Sequence, residues 1–195
     1  MGAWPRHHKK MLDEMKQWRT EAQNQSTPFE QAYIKVVDEM IALAEQAIEM
    51  LDASCYMEWV EEIGQYGYMC HQDYGSGNAL QTDKGVYVLD LDNVTYDIPL
   101  RDVRKLITKR MEEIGGEWEQ AELEKLVNSY ESIMPLTDEQ RKLLYIDMLY
   151  PHQFYGCVKN PFKKGKVGEA KKIEKNYRLE IDKLLLLRQL LYINE

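Results

Sequence analysis

Helical periodicity governs this chain except in one stretch, Tyr66 to Tyr96, and that interruption limits what the chain can fold into. Apolar residues recur at three- and four-residue spacing through Lys9 to Gln23, where Met11, Leu12, Met15 and Trp18 form one face. Ser26-Thr27-Pro28 reads as an N-cap followed by a proline at the first helical position, and the helix it opens should run to about Asp52. A shorter helix over Tyr56 to Ile63 stops at Gly64. Further helices are expected over about Leu100 to Ile114, Glu117 to Ser132 and Thr137 to Leu149, the last capped by Thr137. A loop rich in Pro, Gly and Lys then precedes a closing helix over Val167 to Leu191. The interruption is rich in Gly, Tyr and Asp. Within it Val86-Tyr87-Val88-Leu89 is a clear strand and Ala79-Leu80-Gln81 a weaker one, joined by a turn at Thr82-Asp83-Lys84-Gly85. The expected fold is mainly α with a small central β-hairpin, in one domain over residues 1–195.

Charge and cysteine usage remove several functions. Lys plus Arg is 25 against 33 Asp plus Glu, a net of −8, and a general nucleic-acid binder needs the opposite balance. Cys55, Cys70 and Cys157 are far apart and form no C-x-x-C, so they predict reduced thiols rather than a zinc site or a disulfide framework. Leu184 to Ile193 is the most apolar segment, but Arg188 and Gln189 interrupt it and it is too short to span a membrane. Residues Lys159 to Arg188 carry ten basic against four acidic side chains, which reads as a solvated helix face or a docking surface. His7 and His8 are expected in an exposed terminus, His152 as a packed or capping residue, and the methionines as core filler.

The chemistry gathers where the helices stop. Cys70 onward reads C-H-Q-D-Y-G-S-G-N, an H-x-D-x-x-x-x-N pattern over His71, Asp73 and Asn78; the strand V-Y-V-L then delivers Asp90. Phosphoryl transfer needs a carboxylate beside the acceptor hydroxyl and oxygen ligands that hold Mg²⁺ against nucleotide phosphates. Asp73 suits the first task. Asn78 offers a neutral oxygen and Asp90 a charged one for the second. The segment T-Y-D-I-P-L-R-D-V follows and places Asp102 at the start of a helix.

H-Q-D-Y-G-S-G-N followed by V-L-D-L-D-N resembles the catalytic segment of the aminoglycoside phosphotransferase/choline kinase-like branch of the protein-kinase-like fold. Over Tyr68 to Ile107 the match is nearer still to the CotS-type spore coat proteins. The resemblance implies a kinase-like C-terminal lobe, with Asp73 as catalytic base, His71 bracing the loop, and Asn78 and Asp90 as magnesium and nucleotide ligands. It also implies that Asp102 anchors the backbone of the loop. Asp92 stands where the Gly of a D-F-G triplet would be, and is counted with Asp102 among the supporting residues. Gln72 replaces the Gly of such enzymes and the Arg of protein kinases.

The implied cofactors are Mg²⁺ and ATP, the implied acceptor an unspecified hydroxyl, and the implied place a spore coat assembled from protein made in the mother-cell cytoplasm. Other coat proteins or a second copy of the chain are the expected partners, and neither nucleic acid nor membrane is. The first seventy residues are expected to be helical and hold no Gly-rich loop or V-A-I-K-like strand. An N-terminal β-lobe is therefore expected to be absent, nucleotide binding by this chain alone to be weak, and its ATP turnover not appreciable. Two functions remain: a phosphotransferase completed by a lobe from elsewhere, or a catalytically silent component of the coat.

Overall fold

The computed structural model describes residues 1–64, 67–75, 77–116 and 118–193. The chain forms two compact units. The first comprises Met1–Gly2 and Ser54–Asp147, the second Ala3–Ala53 and Met148–Glu195.

The first unit holds the interruption. After helix α3 (Tyr56–Glu62) come strands β1 (Tyr68–Cys70), β2 (Ala79–Thr82), β3 (Gly85–Val88) and β4 (Thr95–Asp97), with a 3-10 turn at Leu91–Asn93. Strands β2 and β3 pair antiparallel from Ala79 opposite Val88 to Thr82 opposite Gly85. Gly85 has φ +126, a conformation side-chain-bearing residues rarely adopt. Thr82 Oγ1 closes the turn by accepting the Lys84 N–H at 3.1 Å and donating to the Gly85 carbonyl at 2.9 Å. A second small sheet, unforeseen from the sequence, pairs β1 with β4 from Tyr68 opposite Asp97 to Cys70 opposite Thr95. Three residues per strand is too short for alternation to show in sequence.

Helices α4 (Leu100–Glu113), α5 (Gln120–Glu131) and α6 (Asp138–Leu149) follow. The expected start of α5 at Glu117 lies outside the described residues, as does Tyr66. Thr137 and Gln140 cap α6 reciprocally: the Gln140 N–H donates to Thr137 Oγ1 at 3.2 Å, and the Thr137 N–H to Gln140 Oε1 at 3.0 Å. Leu100, Val103, Ile107 and Met111 bury one face of α4. On the same helix Arg104 forms a buried ion pair with Asp147 at 2.7 Å.

The second unit is an all-helical aromatic core. Helices α1 (Trp4–Ala22) and α2 (Pro28–Asp52) form a hairpin against α7 (His152–Lys164) and α8 (Ala170–Leu191). Thr27 is the N-cap of α2 and Pro28 its first residue, but the Thr27 hydroxyl makes no capping bond. Trp18 stacks on Phe162 at 5.3 Å and on Tyr155 at 5.7 Å, and Tyr33 stacks on Phe154 at 5.8 Å. The Tyr33 hydroxyl donates to the Met15 carbonyl at 2.9 Å, so its burial leaves no bond unmade.

Three expectations change here. Helix α1 begins at Trp4, and His8 is buried and stacked on Tyr150 at 4.5 Å rather than exposed. The closing helix starts at Ala170, not Val167. The Pro-, Gly- and Lys-rich loop is largely helix α7. Pro151 serves as its N-cap residue, Gly165 ends it with φ +58, and Phe154, Tyr155 and Val158 bury its inner side. Its first turn is satisfied from outside: Glu180 Oε1 accepts the N–H groups of Gln153 at 2.8 Å and Phe154 at 3.1 Å. Glu180 also pairs with the buried Lys183, so the basic stretch of α8 is not solvated throughout. No described helix is long and apolar enough to cross a membrane.

Candidate active site

Strand β1 ends at Cys70, and the loop of His71 to Asn78 begins where it stops. The first turn of α4 grips that loop. Asp102 Oδ2 accepts the His71 N–H at 2.8 Å and the Gln72 N–H at 3.1 Å. Two backbone donors on one carboxylate oxygen form a charge-assisted anchor. Gln72 has φ +69, in the left-handed region that a residue with a Cβ avoids. One turn on from Asp102, Lys105 Nζ donates to the Gln72 carbonyl at 2.5 Å and meets Asp73 Oδ1 at 3.2 Å.

His71 joins the loop to the hairpin. Its Nε2 lies 2.8 Å from the Leu89 carbonyl, and its Nδ1 accepts the Asp73 N–H at 3.3 Å. A carbonyl can only accept and an amide N–H can only donate, so one tautomer fits: Nε2 carries the hydrogen and Nδ1 the lone pair. The loop also closes on itself. Asn78 Nδ2 donates to the Asp73 carbonyl at 3.0 Å, and the Leu89 N–H donates to the Asn78 carbonyl at 2.8 Å. Asp73 and Asn78 are thereby fixed beside Leu89, the residue before Asp90.

Asp90 is exposed and left-handed at φ 56, at the turn from β3 into the 3-10 segment. Among the described residues the Asp90 carboxylate and Asn78 Oδ1 have no protein partner. Asp73 faces solvent with its side chain 63% exposed, and only its Oδ1 is engaged. Asp92 is exposed and makes no side-chain bond among the described residues, so no contact there braces the loop. Behind the loop, burial pushes the Cys70 thiol up to about 11, and its S–H donates to the Asp97 carbonyl at 3.1 Å.

The motif residues thus share one loop-and-hairpin junction. Sequence reasoning missed Lys105, whose one available sign was a cation three residues after Asp102 on the same helical face. It also missed the Leu89 carbonyl, because a backbone acceptor leaves no mark in a residue pattern.

Comparison with known proteins bears on the family and the fold. The family model described as "Spore coat putative kinase YutH" matches residues 1–185. Spore coat protein S of Bacillus subtilis (strain 168) is 30% identical over 155 residues, which is 79% of this chain and 44% of that protein. The crystal structure of an aminoglycoside phosphotransferase from Alicyclobacillus acidocaldarius superposes with a TM-score of 0.81 at 14% identity, over 98% of this chain and 59% of that one. The likeness to the phosphotransferase shows a kinase-like fold, and the chain spans about half the length of the proteins it matches. With a family model covering all but its last ten residues, this chain belongs to the YutH family of kinase-like spore coat proteins.

Proposed function

We propose that the chain is a spore-coat-associated phosphotransferase that moves the γ-phosphoryl group of ATP to a hydroxyl-bearing acceptor. It would be made in the mother-cell cytoplasm and assembled into the coat. The observation that carries the reading is the Asp73 carboxylate, held at one oxygen, open to solvent at the other, and set on a loop clamped by Asp102 and His71. Asp73 takes or orients the acceptor's proton, as a general base within hydrogen-bond reach does. The partner-free Asn78 Oδ1 and Asp90 carboxylate are hard oxygen donors of the kind Mg²⁺ prefers, so this pair fits the metal and the nucleotide phosphates it would carry. Magnesium, when bound, neutralises phosphate charge and aligns the transferred group.

Turnover by this chain alone is expected to be weak, so two measurements test the reading. Mn²⁺, used as a paramagnetic probe, should broaden the Asn78 side-chain and Asp90 amide NMR signals, and Asp90→Asn should abolish the broadening. With γ-labelled ATP, Asp73→Asn should lower turnover by about 10²–10⁴-fold. Turnover equal in Asp73→Asn and wild type overturns the role of Asp73, and unaffected resonances overturn that of Asn78 and Asp90.

A second reading, a catalytically silent component of the coat, draws on the apolar strands. Met69, Val86, Tyr87, Leu91 and Tyr96 are each at least half exposed. Exposed apolar side chains on these strands favour coverage by other coat proteins or a second copy of the chain. Absence of both turnover and metal broadening selects that reading.

A further inference from the structure

We propose that Lys105 is the positioning residue of Asp73: its ammonium holds Oδ1 of the carboxylate together with the Gln72 carbonyl, and so leaves Oδ2 as the oxygen that meets an acceptor hydroxyl. This rests on the reading of Asp73 as the base. Three observations converge on it. Lys105 lies three residues after Asp102 on α4, so both side chains reach the loop from one helix face. Asp102 takes the N–H of Gln72 while Lys105 donates to its carbonyl, so both ends of a left-handed residue are gripped by one helical turn. Finally, Asp73 Oδ1 is met by the Lys105 ammonium at 3.2 Å, whereas Oδ2 has no partner among the described residues.

The exposure of the pair decides what it does. The Lys105 side chain is 31% exposed and that of Asp73 63%, and ion pairs so open to water add little stability. The work left for this one is orientation. A rigid carboxylate presents Oδ2 in a fixed direction, where a freely rotating one would present either oxygen in any. In transfer, the acceptor O–H bond breaks and its proton passes to Oδ2. The freed electron pair forms the bond to phosphorus, and the bridging oxygen leaves with ADP. Lys105 touches neither phosphorus nor acceptor in this scheme and acts through Asp73.

The test uses the ¹⁵N-labelled chain and has one arm that needs no activity. Lys105→Met should speed amide hydrogen exchange at Gln72 and Asp73 by about tenfold or more, because local opening sets that rate. Lys105→Arg should restore protection, and Asp73→Asn should shift the Lys105 Nζ resonance. In the γ-labelled ATP assay, Lys105→Met should lower kcat by about 100-fold with the nucleotide KM unchanged, and Lys105→Arg should recover part of it. Unchanged exchange in Lys105→Met, or an unmoved Nζ signal in Asp73→Asn, overturns the positioning role whether or not ATP turns over. A wild-type chain with neither transfer nor metal broadening overturns the phosphotransferase reading instead, and exchange and Nζ then decide the clamp. Transfer that persists at full kcat in Lys105→Met overturns the clamp and leaves Asp73 as base.

Discussion

Two carboxylates in this protein do the same thing in different places. Glu180, fully buried in the helical unit, accepts the first-turn N–H groups of α7 from Gln153 and Phe154. Asp102 accepts those of His71 and Gln72 at the start of the loop. Glu180 has the buried Lys183 beside it, and Lys183 also reaches the Tyr150 carbonyl at 3.2 Å. Asp102 keeps a second oxygen, Oδ1, buried and without a protein partner among the described residues. The first arrangement is wholly buried, with a cation beside the carboxylate, and serves stability. The second holds a loop whose outward oxygens stay open to solvent, and serves geometry.

Glu180→Ala should be the more damaging substitution. It strands the Lys183 ammonium in the core and uncovers the first turn of α7, and breaking a buried pair from one side costs about 3–5 kcal/mol. Urea denaturation followed by the fluorescence of Trp18, which stacks on α7, should show that loss. A midpoint close to wild type would mean that the helical unit does not depend on this buried network.

Asp102→Ala should cost less, roughly 2 kcal/mol, because only the loop amides lose their acceptor and water can reach part of the loop. A thermal melt measures the loss, and hydrogen exchange should localise it to residues 71–73. A melt that matches wild type would remove the parallel between the two carboxylates.

The smallest effect concerns pH. Each region carries a thiol that burial holds protonated: Cys70 is pushed up to about 11 and Cys157 to about 12, from an ordinary value of 9.0. Above pH 9 the unfolded chain has lost protons that the folded chain keeps, so stability falls as pH rises from about 9 through the folded values. Between pH 9 and 10 the fall should be on the order of 1 kcal/mol, since one thiol contributes at most about 1.4 kcal/mol per pH unit. At pH 7 and below the thiols should add almost no slope. Cys157→Ala and Cys70→Ala should each flatten the alkaline limb of a urea-midpoint titration, and a limb unchanged in both would assign it to the buried tyrosines.

What the sequence disclosed divides along the same line. Helices packed by their own periodicity, such as α2 with Tyr33, Val37, Met40 and Ala44, were legible because the pattern and the burial are one fact. Thr137 was legible as a cap because the bond that caps α6 is local. The Asp102 anchor was expected through the family resemblance, and its place at a helix start agreed with it. Helix α7 was not legible. Pro151, Pro161 and Gly165 signal a loop, and its capping partner Glu180 lies 26 residues beyond Phe154 in sequence. Glu180 and Lys183 themselves read as surface charges, because their partners are distant backbone groups that sequence does not mark. Lys105 escaped notice for the same reason: it reaches Gln72 and Asp73 across more than thirty residues.

The order of synthesis gives the two units different histories. Residues 54–147 of the first are contiguous, so its strands and helices can form as soon as they emerge from the ribosome. The second is built from segments on either side of it, and α2 packs on α8, which is translated more than one hundred residues later. During elongation the α1–α2 hairpin must therefore wait, its apolar side unsheltered, while about one hundred residues are added at roughly 5–20 per second. That interval, some seconds long, is when a nascent chain most needs a holding chaperone.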